Sequence, residues 1–184
     1  MTNKFKQAVT ALVVSVGLST TANAEFIDSG TYFTDTTSKL DWLDVTTSIN
    51  QSYNSVAAQL KPGEKLDGWR YATAKEFNQL LSNYTSTTIE SNLRVDHGTS
   101  ELDGLIKMFG STFLSDGDKA GHSLAYTNGI LGDQLGDLLA RNMALILDDD
   151  RSSDGSHYSM AYYTVGYDND RWDTIGSYLV RETK

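Results

Sequence analysis

The chain has 184 residues, with 15 basic and 24 acidic side chains, a net charge of −9 and no cysteine. A chain this acidic is repelled by nucleic-acid phosphates and anionic lipid heads, which leaves cations, basic partners and neutral ligands as binding classes. The missing thiols exclude disulfide staples, thiolate nucleophiles and cysteine metal sites, so stability must come from an apolar core.

The first 24 residues read as one object. Lys4 and Lys6 make a basic start, Ala8 to Leu18 is an apolar run, and Ala22 and Ala24 supply the small pair of an A-x-A cleavage site. The run is shorter than the roughly 20 apolar residues that cross a bilayer. The pattern predicts a signal peptide over 1–24, cut between Ala24 and Glu25, and a mature chain that is periplasmic or secreted. No later segment is long and apolar enough to anchor in a membrane. Residues 25–184 then have the length of a single domain with its own core.

In "SGTYFTDTTSKLDWLDVTTS", Tyr32 and Phe33 precede a polar turn and Leu40, Trp42 and Leu43 follow it. The alternation is imperfect, but the pattern predicts a hairpin. Tyr53, Val56, Ala57 and Leu60 then recur at helical spacing, with Ser52 as N-cap, and Pro62 and Gly63 stop that helix.

"DGWRYATAKEFNQLL" predicts a strand that turns into a helix. Side chains alternate on a strand, so Trp69 and Tyr71 share one face and Arg70 takes the other. Trp69 is expected to anchor the core. Thr73 and Glu76 have the spacing of a capping box, and Phe77, Leu80, Leu81 and Tyr84 mark the apolar stripe of a helix from Ala74 to about Asn83. Arg70 has two readings. It is a ligand-facing cation, or a planar fork that pins segments together, with Asp41 or Asp44 of the hairpin as partner. The abundance of nearby acids favours the second.

Leu102, Leu105, Ile106 and Phe109 predict a further helix ended by Gly110. After it the period changes. "HSLAYTNGIL", "RNMALILDDD", "SHYSMAYYTVGY" and "IGSYLVRE" read as strands separated by Asp- and Gly-rich loops. Strands and helices in this order predict one α+β domain, not a regular βαβ alternation.

"DTTSKLDWLDVTTS", "SYNSVAAQL", "GWRYATAKEFNQL" and the final "IGSYLVR" together resemble a family of exported bacterial proteins, many of which carry a C-terminal PEP-CTERM sorting signal. More distantly, the order is similar to the Lcl C-terminal domain. The resemblance covers residues 28–82 and 175–181, and 85–174 only loosely. It implies a C-type-lectin-like, formylglycine-generating-enzyme-like fold: helices packed on a twisted, mostly antiparallel sheet with the terminal strands adjacent. Its motif residues, Trp42 and Trp69 among them, carry fold and not activity, so no catalytic residue transfers. "LVRETK" has no sorting motif after it, from which a released or periplasmic member is expected.

Three acidic loops are candidates for chemistry. Asp148, Asp150 and Asp154, before Gly155, begin a calcium-loop spacing; an EF-hand closes with an acid at its twelfth position, which here is Ala161, so only a non-EF calcium site could form. An exposed, solvated turn is the plainer reading. Asp116 and Asp118 form a similar loop. Tyr167, Asp168, Asp170 and Trp172 combine rings with carboxylates, a mix suited to sugars, or else form a turn with Trp172 buried. His97, His122 and His157 show no ligand spacing, and no nucleophile or phosphate-loop motif occurs.

These features point first to an exported, non-catalytic module that binds a glycan or another extracellular-matrix component, without nucleic acid. A polysaccharide hydrolase with paired carboxylates among Asp148, Asp150, Asp168 and Asp170 is the alternative, and a structural matrix component is a third. N-terminal sequencing of the exported protein is expected to begin at Glu25. A product that retains Met1 would remove the export reading.

Overall fold

The computed structural model describes residues 24–88, 102–115, 122–136, 139–151 and 156–184; within these, the side chains of 122, 150–151 and 156–159 are left aside. Three short strands open the chain: β1 (Phe26–Asp28), β2 (Tyr32–Asp35) and β3 (Leu40–Leu43). β2 and β3 form the expected hairpin, in register Phe33 to Trp42. Its turn is built on Asp35, whose buried carboxylate accepts from the Thr37 amide at 2.9 Å, the Ser38 hydroxyl at 2.7 Å and the Asn83 side chain at 2.7 Å. Lys39 takes a left-handed φ of 58° to close it.

A 3-10 turn over Val45–Ser48, capped by Asp44, leads into helix α1 (Tyr53–Gln59). Ser52 caps α1 as its spacing predicts, with its hydroxyl accepting from the Ser55 amide at 3.2 Å. Strand β4 (Arg70–Tyr71) and helix α2 (Ala74–Thr85) follow. The capping box is present: the Thr73 hydroxyl accepts from the Glu76 amide at 3.2 Å, and the Glu76 carboxylate accepts from the Thr73 amide at 2.8 Å. Helix α3 (Asp103–Phe109) buries Leu105, Ile106 and Phe109 and ends at Gly110.

The rest is strand: β5 (Phe113–Ser115), β6 (His122–Gln134), β7 (Ala140–Arg151), β8 (Ser156–Tyr167), β9 (Gly176–Ser177) and β10 (Leu179–Glu182). Where one sheet was expected there are two. Sheet A runs β1-β2-β3-β10-β4, and sheet B runs β5-β6-β7-β8, with β9 parallel to β6. The terminal strands share sheet A without touching, because β10 lies between β3 and β4 and β1 is at the far edge.

The core lies between the sheets and has two lobes. One joins Phe33, Trp42 and Val180 of sheet A to Phe77 and Leu80 of α2, Phe109 of α3, and Ala144 and Ile146 of sheet B. The other joins Leu43 and Leu179 to Val56 of α1, Tyr71, Ile130 and Met143. Neighbouring residues on β3 and β10 therefore enter different lobes. That explains the imperfect alternation of the hairpin: β3 is buried on both faces, with Leu40 and Trp42 in one lobe and Leu43, on the face of the buried Asp41, in the other.

Two expectations are corrected. Trp42, not Trp69, is the fully buried indole; Trp69 is half-buried and packs at the margin of the second lobe. Arg70 does not reach Asp41 or Asp44. It forms a two-pronged pair with Glu76, at 2.7 and 3.0 Å, so the capping carboxylate also carries the fork. Burial alone would raise the Glu76 pKa, but the Arg70 and Thr73 hydrogen bonds outweigh it and hold it below its usual 4.5. A lowered folded pKa stabilises above the unfolded value and is lost as pH falls through the folded one. Thr73→Ala is expected to cost about 1 kcal/mol in urea unfolding at neutral pH. Glu76→Gln is also expected to be less stable than wild type there, with the gap narrowing below pH 4.5. A gap independent of pH would contradict the assignment.

Candidate functional site

Arg141, near the start of β7, sits in a buried knot. Its Nε donates to Asp168 at 2.9 Å and its Nη1 to the Gly132 carbonyl at 2.9 Å, and its guanidinium lies 4.0 Å from the Tyr53 ring centroid. Tyr53 in turn stacks on Tyr71 at 4.3 Å, and the Tyr71 hydroxyl donates to the Tyr53 carbonyl at 3.0 Å. Asp168 binds α1 as well, through its carbonyl and the Asn54 amide. Hydrogen bonding to Asp168 raises the Arg141 pKa, and burial raises that of Tyr71. The donors of Arg141 are used within the protein, so the knot is a fastener that ties the turn after β8 to α1 and β4.

This fixes what the 167–172 loop does. Asp168 is only 4% exposed and is committed to Arg141. Trp172 is half-buried and packs into the second core lobe, close to Gly166 and Met143. Asp170 is half-buried, with its amide on the Tyr167 carbonyl, while the Tyr167 side chain is exposed. The four residues are neighbours, but they do not present one surface.

Asp148 and Asp150 lie in β7 and not in a loop, and Asp148 is buried. Asp154, like Asp116, Asp118 and His97, lies outside the described residues. Among the described residues no three His, Asp or Glu side chains stand close enough to hold a metal ion. The β7–β8 ladder runs from Ala140 opposite Tyr167 to Arg151 opposite Ser156. Asp148 and Asp150 are therefore near one end and Asp168 and Asp170 at the other, roughly 30 Å apart at about 3.3 Å per residue. Hydrolytic carboxylate pairs need about 5 to 10 Å, so no pair can combine the two groups.

A different constellation forms on sheet A. Cross-strand pairing sets Thr34 opposite Asp41 and Asp41 opposite Arg181. The Asp41 carboxylate accepts from the Thr34 hydroxyl at 2.7 Å and from Arg181 Nε at 2.9 Å. The Tyr32 and Trp69 rings meet edge to face, 6.2 Å between centroids, and the Arg181 guanidinium lies against both, 4.7 Å from the Tyr32 centroid and 4.4 Å from that of Trp69. Tyr32, Thr34, Asp41, Arg181, Thr183 and Lys184 line a groove of about 330 Å³. Among the described residues neither Nη group of Arg181 has an acceptor. A second cavity of about 400 Å³, beside Phe26, Asn83 and Tyr84, is lined by small hydroxyls and carries no charged side chain.

The sequence held one clue to this groove. Arg181 follows the apolar pair Leu179 and Val180 in the final strand, and period-two alternation sets it opposite in facing to Val180. Its partners sit far away in the chain and could not be read locally. Comparison with protein-family models, curated proteins and solved structures returns no match.

The knot makes a direct prediction. Removing one member of a buried pair strands a charge, so Arg141→Met is expected to cost about 3–5 kcal/mol in chemical denaturation. Replacing both, as Arg141→Met with Asp168→Leu, is expected to recover part of that loss. Equal loss in the single and double variants would show that Arg141 and Asp168 are not coupled.

Proposed function

We propose that the chain is an exported, non-catalytic binding module that takes a glycan or other matrix component in the sheet A groove. The observation that carries this reading is Arg181 seated against the Tyr32–Trp69 ring pair, with no acceptor for either Nη group among the described residues. A guanidinium tied to Asp41 through Nε and resting on two rings has already lost much of its rotamer freedom, and its remaining donors have the geometry for a planar oxyanion. Lys184 adds a second cation and Thr183 a hydroxyl, while the Thr34 hydroxyl is already donated to Asp41. The ligand is therefore an acidic sugar bearing a carboxylate or sulfate. The net charge, −9 for the whole chain and −11 without Lys4 and Lys6, opposes a polyanion at long range, but screening over about 8–10 Å confines that penalty and leaves the local contact favourable.

The same proposal includes the lectin-like arrangement and membership of the exported PEP-CTERM-associated group. Its support is convergence. The segments that carry the resemblance meet in three dimensions: the "LDWL" strand β3 and the "LVR" strand β10 pair, and β4, at the "WRY" corner, pairs with β10 on its other side. Calcium is not built into the reading, and a hydrolase reading finds no paired carboxylates in this groove.

A glycan array probed with the mature chain, with and without calcium, tests the proposal. Binding is expected to acidic glycans and to weaken with salt. Arg181→Lys keeps a charge on Asp41 but loses the fork, and it is expected to weaken binding about tenfold, an energy of about 1.4 kcal/mol. Tyr32→Ala is expected to do the same. Equal binding to neutral and acidic glycans, or an unaffected Arg181→Lys, would overturn it.

A further inference from the structure

We infer that two copies of the chain associate through the free edge of β8, antiparallel, to give one continuous sheet across a twofold axis. This reading does not depend on the groove. β8 pairs with β7 along its whole length, from Ser156 to Tyr167, and among the described residues no strand lies on its other side. Every second residue of an edge strand directs its N–H and C=O outward, so β8 offers a long row of backbone groups that no strand among the described residues pairs.

Folded proteins usually blunt such an edge with charge, proline or shortness. β8 has none of these. Its sequence, SHYSMAYYTVGY, contains no Asp, Glu, Lys, Arg or Pro, whereas the chain's 21% charged content would place roughly two or three charges in it. Val165 and Tyr167 are 49% and 56% exposed, and Leu139, beside them at the end of the ladder, is 65% exposed. The other edge strands are short: β5 has three residues, β1 three and β4 two.

The partner follows from charge and symmetry. Loss of Lys4 and Lys6 takes each mature chain from −9 to −11, and two such chains repel over most of their surfaces. An isologous contact places the same strand opposite itself, and a charge-free strand is the one that opposes no like charges when it does so. Antiparallel pairing of β8 with its own copy closes on itself. A β8–β5 contact would propagate, but three residues cannot satisfy an edge of twelve. The assembly is thus a closed dimer and not a fibre.

Sedimentation equilibrium of the mature chain tests this, with hydrogen exchange resolved to β8. The expected mass is twice that of the mature chain, and the backbone amides of residues 160–167 are expected to exchange more slowly as concentration rises. Thr164→Lys and Val165→Lys, both at exposed positions, are expected to shift the protein to the single-chain mass with unchanged far-UV circular dichroism. Should one variant misfold, the other and the wild-type exchange profile still decide. A single-chain mass at every concentration would overturn the inference, as would open-ended polymers. So would a dimer that survives both substitutions with β8 exchange independent of concentration. None of these outcomes touches glycan binding at Arg181, so the two readings fail separately.

Discussion

One buried segment holds the two sheets together. Residues 175–180 are buried without a break. Within them the chain leaves sheet B, where β9 lies parallel to β6, and enters sheet A, where β10 pairs with β3 and β4. Tyr178 stands at the crossing. Its amide donates to the Ile130 carbonyl of sheet B, and its carbonyl accepts from Ala72 beside sheet A. Its ring is fully buried, 4.7 Å from Phe77 and 4.9 Å from Phe109. Gly129 makes room for that ring, since a Cβ there would come within 2.8 Å of it. At Gly176 a Cβ would lie 2.2 Å from the Val45 carbonyl, so only glycine lets β9 approach the 3-10 turn. Each of these contacts spans a long stretch of chain, and their loop-closure cost falls due before any of them forms.

That arrangement decides how the acids are managed. Asp35, Asp41 and Asp168 are all buried, in a chain with a large excess of carboxylates. Asp35 is satisfied by a turn it organises. Asp41 and Asp168 each take one arginine from a distant strand, at 2.9 Å. Taking a carboxylate out of water is costly, and each pairing largely offsets that cost without a large surplus. What the pairs add is specificity. Arg181 reaches Asp41 only when β10 is paired in the observed register with β3, and Arg141 reaches Asp168 only when the turn after β8 folds back. A strand slip of one residue would strand both charges of a pair.

The local elements were legible because their causes are local. Ser52, the Thr73–Glu76 box, Gly110 and the turn between Phe33 and Trp42 announce themselves within a few residues. What failed to read was whatever depends on partners far along the chain. Arg70 was open to several acids, and the one six residues on prevailed because α2 carries Glu76 back over β4. Trp69 and Trp42 look alike in sequence; only the insertion of β10 beside β3 makes Trp42 central, while Trp69 stays at the margin, under Arg181. The second sheet was likewise hidden, since strand propensity does not say which strands pair.

The candidate site shows where composition misleads. With 24 acidic residues, clusters of aspartate arise readily and attract attention as metal or sugar sites. The structure spends Asp168 on fastening and places Asp148 inside a strand. Basic residues are scarcer, at 15, so the position of a partly buried arginine carries more information than that of another carboxylate. Arg141 and Arg181 illustrate the two fates of such a residue. Both face an aspartate and an aromatic ring, yet Arg141 has its Nη groups taken by the Gly132 carbonyl and the second Asp168 oxygen, and Arg181 has no such acceptors among the described residues. The difference follows from position. Arg141 lies between the sheets, where an unmade hydrogen bond costs about 1–3 kcal/mol, and Arg181 lies beside the groove, where water or a ligand can complete its fork.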